Sequence, residues 1–272
     1  MPHAPTIVTD AMRLLSIHKP LVGMVHFLPL AGCVRYDRRG AGPILDAALR
    51  DLAALERGGA DAVLVENFSD APYGKAAPRE TVAMMAVVLR SVVLAASVPV
   101  GVNVLRNDGL AAMSIAAATG ASFIRINVFA GVAFTDQGIV EGQARELHAL
   151  RRDLGADVQI LADVHVKHAA HLTRLEEAAV DTERNHPDAL VVSGIGTGYD
   201  TSPEDLGTVK RAAALPVFIG SGVRADSVAA YRNADGFIVG TALKECGAVE
   251  SPVDEKRVRS LATAIAALRT AS

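Results

Sequence analysis

The chain has 272 residues, half of them apolar, and a formal net charge of −3 at pH 7. That supplies apolar material for a sizeable core, and the scattered basic residues give no electrostatic reason to expect nucleic acid as a partner. Cys33 and Cys246 form no CxxC pair, there is no basic-then-apolar leader, and no uninterrupted apolar run reaches about 18 residues. The expectation is a cytoplasmic protein with reduced thiols and no membrane insertion.

In chain order, residues 1–17 read as an N-terminal arm or short helix over one face of the domain. Short β-branched runs then recur at 21–26, 62–67, 99–104, 123–128, 159–166, 189–193, 216–220 and 236–240. Each is followed by a helical pattern: 43–57, 79–96, 110–119, 136–154, 170–185, 203–214, 225–232 and 254–269. Strands alternating with helices at this spacing predict parallel βαβ units, and eight units favour closure into a (β/α)8 TIM barrel. A barrel of this kind takes about 250 residues, so one domain is expected to span 1–272, with the barrel from about 18 to 270. Gly58-Gly59, Gly120 and Gly155 read as left-handed helix stops, and Ser202-Pro203-Glu204-Asp205 as a helix start. An Asp precedes three strands, in Ala60-Asp61, Pro187-Asp188 and Ala234-Asp235, and weakly suggests a repeated unit.

In such a barrel the active face lies at the C-terminal strand ends. Those ends carry His26, Glu66 with Asn67, Asn103, Arg125 with Asn127, and Ser193. The fifth strand region is the most informative. Asp163, His165 and Lys167 alternate with Val164 and Val166, so period two predicts three ionisable groups pointing into the barrel. Burying them unpaired costs several kcal/mol, so they either pair or bind a ligand. Lys167 suits a Schiff base, an acid or an anion anchor, His165 beside Asp163 a general base or acid, and Glu66 the opposing carboxylate. His26, Glu66, Asp163 and His165 together could also hold a divalent metal, although no compact ligand spacing requires one.

A phosphate cradle is the second expectation. Gly220-Ser221-Gly222 ends the seventh strand and Gly240-Thr241 the eighth, where these barrels commonly seat a phosphate. The Gly-rich stretch 193–202 and the loops 27–42 and 68–78 read as covers over the same face. His148, His168, His171 and His186 read as surface or boundary residues, and Asp37, Arg38 and Lys75 as solvated.

Gly-Met-Val-His-Phe-Leu-Pro-Leu-Ala-Gly (23–32), Gly-Ala-Asp-Ala-Val-Leu-Val-Glu-Asn-Phe (59–68), Gly-Val-Asn-Val-Leu-Arg-Asn-Asp (101–108), Phe-Ile-Arg-Ile-Asn-Val (123–128), Ala-Asp-Val-His-Val-Lys-His (162–168) and Gly-Ser-Gly-Val (220–223) resemble the BtpA/SgcQ family. The resemblance runs from about residue 18 to 270 and implies a TIM barrel related to the ribulose-phosphate-binding group. The Asp-x-Lys-x-x-Asp signature of orotidine-phosphate decarboxylase-like barrels is not matched, which argues against a simple decarboxylase.

The leading expectation is an enzyme that acts by acid/base chemistry on a phosphorylated sugar or nucleoside-like molecule, as an isomerase, lyase or glycosidic hydrolase. The family's name, taken from a protein needed for photosystem I biogenesis, implies an alternative: a non-catalytic assembly factor for a membrane complex, expected to expose a large apolar patch. A sensor of a phosphorylated metabolite is a third reading. A homo-oligomer is expected on base rate alone.

Overall fold

The computed structural model describes residues 13–194, 196 and 200–270. Strand β1 (Leu21–His26) leads through α1 (Gly42–Gly58) to β2 (Ala62–Glu66), α2 (Arg79–Ala95), β3 (Val100–Asn103), α3 (Gly109–Thr119) and β4 (Phe123–Ile126). A hairpin of β5 (Val132–Thr135) and β6 (Gly138–Glu141) precedes α4 (Ala144–Asp153) and β7 (Gln159–Asp163). The second half runs β8 (Ala169–Ala170), α5 (Leu175–Arg184), β9 (Ala189–Val192), α6 (Pro203–Ala212), β10 (Val217–Ile219), β11 (Gly236–Val239) and α7 (Glu255–Thr270). Eight parallel strands close in the order β1-β11-β10-β9-β7-β4-β3-β2, which is the expected TIM barrel.

Strand alternation sorts the core into two shells. Outward residues such as Val63, Val65, Ile124, Ile160 and Ile219 pack under the helices. Inward residues Val22, Met24, Ala62, Leu64, Phe123, Leu161, Ala189, Val191, Phe218 and Ile238 fill the barrel. Each fully buried Val, Leu, Ile or Phe is stabilising by about 1.5–3 kcal/mol. Two glycines make room for the rings: a Cβ on Gly101 would lie 2.2 Å from the Phe123 ring, and one on Gly236 2.3 Å from Phe218. Leu14, fully buried in a single 3-10 turn (Leu14–Ser16), joins this inner cluster, so the described part of the N-terminal segment packs against the barrel interior. The rest of the expected arm, residues 1–12, lies outside the described residues, as do residues 195 and 197–199 of the expected Gly-rich cover.

The Asp recurrence has a physical reason. Asp61 accepts a hydrogen bond from the Leu21 N–H at 2.8 Å, Asp188 from Ile160 at 2.7 Å and Asp235 from Val217 at 2.7 Å. Each carboxylate thus satisfies a donor at or next to the start of a neighbouring strand, and Arg269, Arg151 and Lys210 respectively neutralise it. Gly59, Gly120 and Gly155 have φ of +93°, +86° and +58°, as their stop role requires. Ser202 caps α6 by accepting from the Glu204 N–H.

Four expected elements are corrected. The strand expected over 159–166 stops at Asp163, because its last pairing is Asp163 with Val191 and β9 ends one residue later. The helix expected over 136–154 is a hairpin followed by a shorter helix. Val132, Phe134 and Ile139 are exposed while Ala133 and Val140 are buried, so apolar residues on both faces hide the period of two. The helix expected over 170–185 starts only at Leu175, since Ala169 and Ala170 pair with β5. The helix expected over 225–232 is a 3-10 turn, Val228–Tyr231.

Candidate active site

One layer above Met24, Leu64, Phe123, Leu161 and Ile238, the inward positions change character. They carry His26, Glu66, Asn103, Arg125, Asp163 and Ser193, with Gly220 and Gly240 beside them. Two hydrogen-bonded groups organise this layer. Arg125 is 3% exposed and grips Asp163 bidentately, Nε to Oδ1 at 2.8 Å and Nη2 to Oδ2 at 3.0 Å. Nη2 also donates to Ser193 Oγ at 3.0 Å, and Asn127 Nδ2 donates to Asp163 Oδ2 at 3.1 Å. Across the barrel, Asn103 Nδ2 donates to Glu66 Oε2 at 2.6 Å, and His26 Nε2 lies 3.9 Å from Glu66 Oε1.

A cavity of about 210 Å³ opens above this layer. It brings together His26, Glu66, Arg125, Lys167, Gly220, Ser221, Gly222, Gly240 and Thr241, with Met24, Phe68, Arg224 and Arg257 completing the wall. Burial, reinforced by the Lys244 charge, pushes His26 down to about 3, so its imidazole is neutral at physiological pH. Burial also pushes the Lys167 ammonium below its ordinary value; Arg125 adds to that, and Glu66 opposes it. Tyr73, which donates to the Phe68 carbonyl, is raised by burial and by Glu66 and Asp70. Among the described residues, the backbone N–H groups of Gly222, Thr241 and Ala242 have no acceptor, and Gly222 holds a φ of +76°.

Lys167 is held in place by the chain around it. Arg106 donates to its carbonyl at 2.6 Å, and His171 Nε2 contacts the Val166 carbonyl at 2.9 Å. Val166 is buried with Val128, Ala133 and Val140 beneath the three-stranded sheet β6-β5-β8. The inserted hairpin therefore anchors the segment that delivers the lysine.

The remaining expected residues do not line this cavity. His165 does not share the face of Lys167; the chain bends after Asp163, and His165 stacks on His171 with ring centroids 4.1 Å apart. It lines a separate cavity of about 220 Å³ with Asn127, Asp163 and Asp181, and burial with His171 lowers it to about 4. Asp163 has both carboxylate oxygens taken up, by Arg125 and Asn127. Asn67 ties two loops, accepting from the Leu105 N–H at 2.7 Å and donating to Asp70 at 3.2 Å. Asn103 and Ser193 support Glu66 and Arg125 from behind. The imagined metal set of His26, Glu66, Asp163 and His165 is not assembled, and among the described residues no cluster of three or more His, Cys, Asp or Glu is arranged to hold a metal ion.

Arg224 and Arg257 escaped the sequence reading because isolated arginines carry no local pattern. The usable signal was Arg224 standing two residues after the Gly220-Ser221-Gly222 turn. Arg224 is paired with Asp200 at 2.8 Å and Asp226 at 3.3 Å, whereas the Arg257 guanidinium pairs, among the described residues, with Asp254 alone at 3.7 Å.

The fold and the placement of this cavity define a (β/α)8 barrel with its candidate site at the C-terminal strand ends. N-(5'-phosphoribosyl)anthranilate isomerase from Pyrococcus furiosus superposes with a TM-score of 0.58 at 14% identity, covering 92% of this chain and 100% of that one, a likeness of fold. The BtpA family model matches residues 17–267, and the chain belongs to that family. Its relatives include an uncharacterized protein of Thermococcus kodakarensis, 49% identical over 256 residues (93% of this chain, 98% of that protein). Photosystem I biogenesis protein BtpA of Synechocystis is 42% identical over 266 residues (94% of this chain, 91% of that protein). No helix among the described residues is long and apolar enough to cross a membrane.

Proposed function

We propose that the protein is an enzyme that binds a phosphorylated small molecule at the barrel mouth and performs proton-transfer chemistry on its other end. The phosphate sits between the turns 220–222 and 240–242, where unpartnered N–H groups and Arg257 offer donors and positive charge. The reacting end faces Lys167, Glu66 and neutral His26. The observation that carries the reading is that both Gly turns and these three side chains line one cavity. Structural neighbours whose names include phosphorylated compounds add support at the level of fold.

A calorimetric titration tests this reading with ribose 5-phosphate against ribose. The phosphorylated sugar is expected to bind and ribose not. Gly240→Val, whose Cβ would lie 3.2 Å from His26 and 3.3 Å from Met24, is expected to abolish binding by filling the mouth. Equal affinity for both sugars would refute the anion site.

One observation favours the second reading, an assembly factor. Phe134 and Ile139, 40% and 49% exposed, face each other across β5 and β6, with Val132 also exposed on β5. Combined with the Synechocystis relative, this makes the outer sheet the surface to test. Phe134→Ser with Ile139→Ser removes partner capture but leaves phosphate binding if the two roles are separate.

A further inference from the structure

The chain contains an internal control for what a structural buried lysine looks like. Lys244 is 1% exposed and bonds Asp51 at 2.7 Å. Lys19 is 7% exposed and donates to the Arg232 and Ala234 carbonyls, both at 2.7 Å. Lys167 differs. No carboxylate of the described residues lies within 4.0 Å of its Nζ. The two carboxylates of the polar layer are already committed, Asp163 to Arg125 and Glu66 through one oxygen to Asn103. Nothing in the described structure therefore uses this amine, although its backbone is pinned on both sides and its side chain faces the cavity.

Building on the phosphate reading above, we propose that Lys167 Nζ is a nucleophilic amine that captures the carbonyl carbon of a phosphorylated aldehyde or ketone as an iminium. The substrate class is then a carbonyl compound whose phosphate end reaches the glycine turns. The neutral amine lone pair forms the C–N bond and the carbonyl oxygen takes up a proton, giving a carbinolamine. Loss of that oxygen as water leaves the protonated C=N bond. The iminium withdraws electrons from the adjacent carbon, whose proton can then pass to a carboxylate. Glu66 is placed for this, with Oε1 not bonded by Asn103 and on the same cavity wall. Hydrolysis of the iminium returns the amine. The environment supports the first step, since burial and the neighbouring Arg125 favour the uncharged amine below the ordinary lysine range.

The test is reductive trapping on the full chain. The protein is incubated with glyceraldehyde 3-phosphate, sodium borohydride is added to deliver hydride to the iminium carbon, and the adduct is located by peptide mass mapping. The expected result is one dominant adduct at Lys167, lost in both Lys167→Ala and Lys167→Arg, with circular dichroism melts confirming that the variants fold. The rate of trapping should rise with pH along a curve centred below that of surface lysines. Labelling spread over surface lysines and unchanged in Lys167→Arg would overturn the proposal. Inorganic phosphate separates the two claims. Phosphate binding without any Lys167 adduct sinks the amine and leaves the anion site standing. A Lys167 adduct that phosphate does not slow, and that unphosphorylated glyceraldehyde forms equally well, keeps the amine and sinks the anion site.

Discussion

The floor and the mouth of this barrel occupy alternate residues of the same strands and are built for opposite purposes. At the floor, Phe123 and Phe218 interlock with Gly101 and Gly236 in one cluster with Leu14, and donors at or next to strand starts, from Leu21, Ile160 and Val217, are taken by Asp61, Asp188 and Asp235. Beyond Met24, Leu64, Phe123 and Leu161, apolar packing gives way to His26, Glu66, Arg125 and Asp163. There Asp163 is fully paired behind Arg125, while Arg125, Glu66, His26 and Lys167 line a cavity. The difference shows where the molecule gains stability and where it leaves chemistry unsatisfied.

The largest effect should come from breaking the ion pair on which the mouth is built. Asp163→Ala leaves the Arg125 guanidinium buried without its partner, at a cost of about 3–5 kcal/mol in urea unfolding, and should also abolish phosphate binding. Next is the floor. Leu14→Ala should cost about 3 kcal/mol with phosphate affinity unchanged, which separates the two ends in one variant. Gly236→Ala drives a Cβ against Phe218 and should cost about 1–3 kcal/mol, again sparing the mouth. Arg257→Ala, on an exposed rim, should leave stability within about 0.5 kcal/mol but weaken phosphate binding.

Acid adds a further test. His26 is held at about 3 in the folded chain against an ordinary value of 6.5. The unfolded state therefore binds the extra proton between those values, and stability falls as pH drops through this window by up to about 1.4 kcal/mol per pH unit. His26→Gln should flatten the loss between pH 6.5 and 4 in a urea-unfolding series. An unchanged slope would mean that the imidazole is not held neutral.

Much of the barrel was legible because a strand buried on both faces reads as a β-branched run, and because glycine and aspartate punctuate its start. Leu21–His26 is bounded identically in sequence and structure, and every other barrel strand begins within one residue of its expected start. Where β7 ends was not legible. Period two continues through Asp163, His165 and Lys167 on paper, but a strand persists only while its neighbours do, and β9 stops at Val192. The bend sends His165 to its stack with His171 and Lys167 to the mouth. The glycine turns and Glu66 could be read from position alone. The pairing of Asp163 with Arg125 could not, since a carboxylate that grips a guanidinium and one left unpaired are the same letter.

A crystal structure of the protein with inorganic phosphate tests the central claim most directly. The account predicts an anion within hydrogen-bond distance of the Gly222 and Thr241 amides, with Lys167 and Glu66 facing it across the same cavity. An empty mouth at saturating phosphate, or an anion bound at the opposite rim beside Asp61, Asp188 and Asp235, would contradict it.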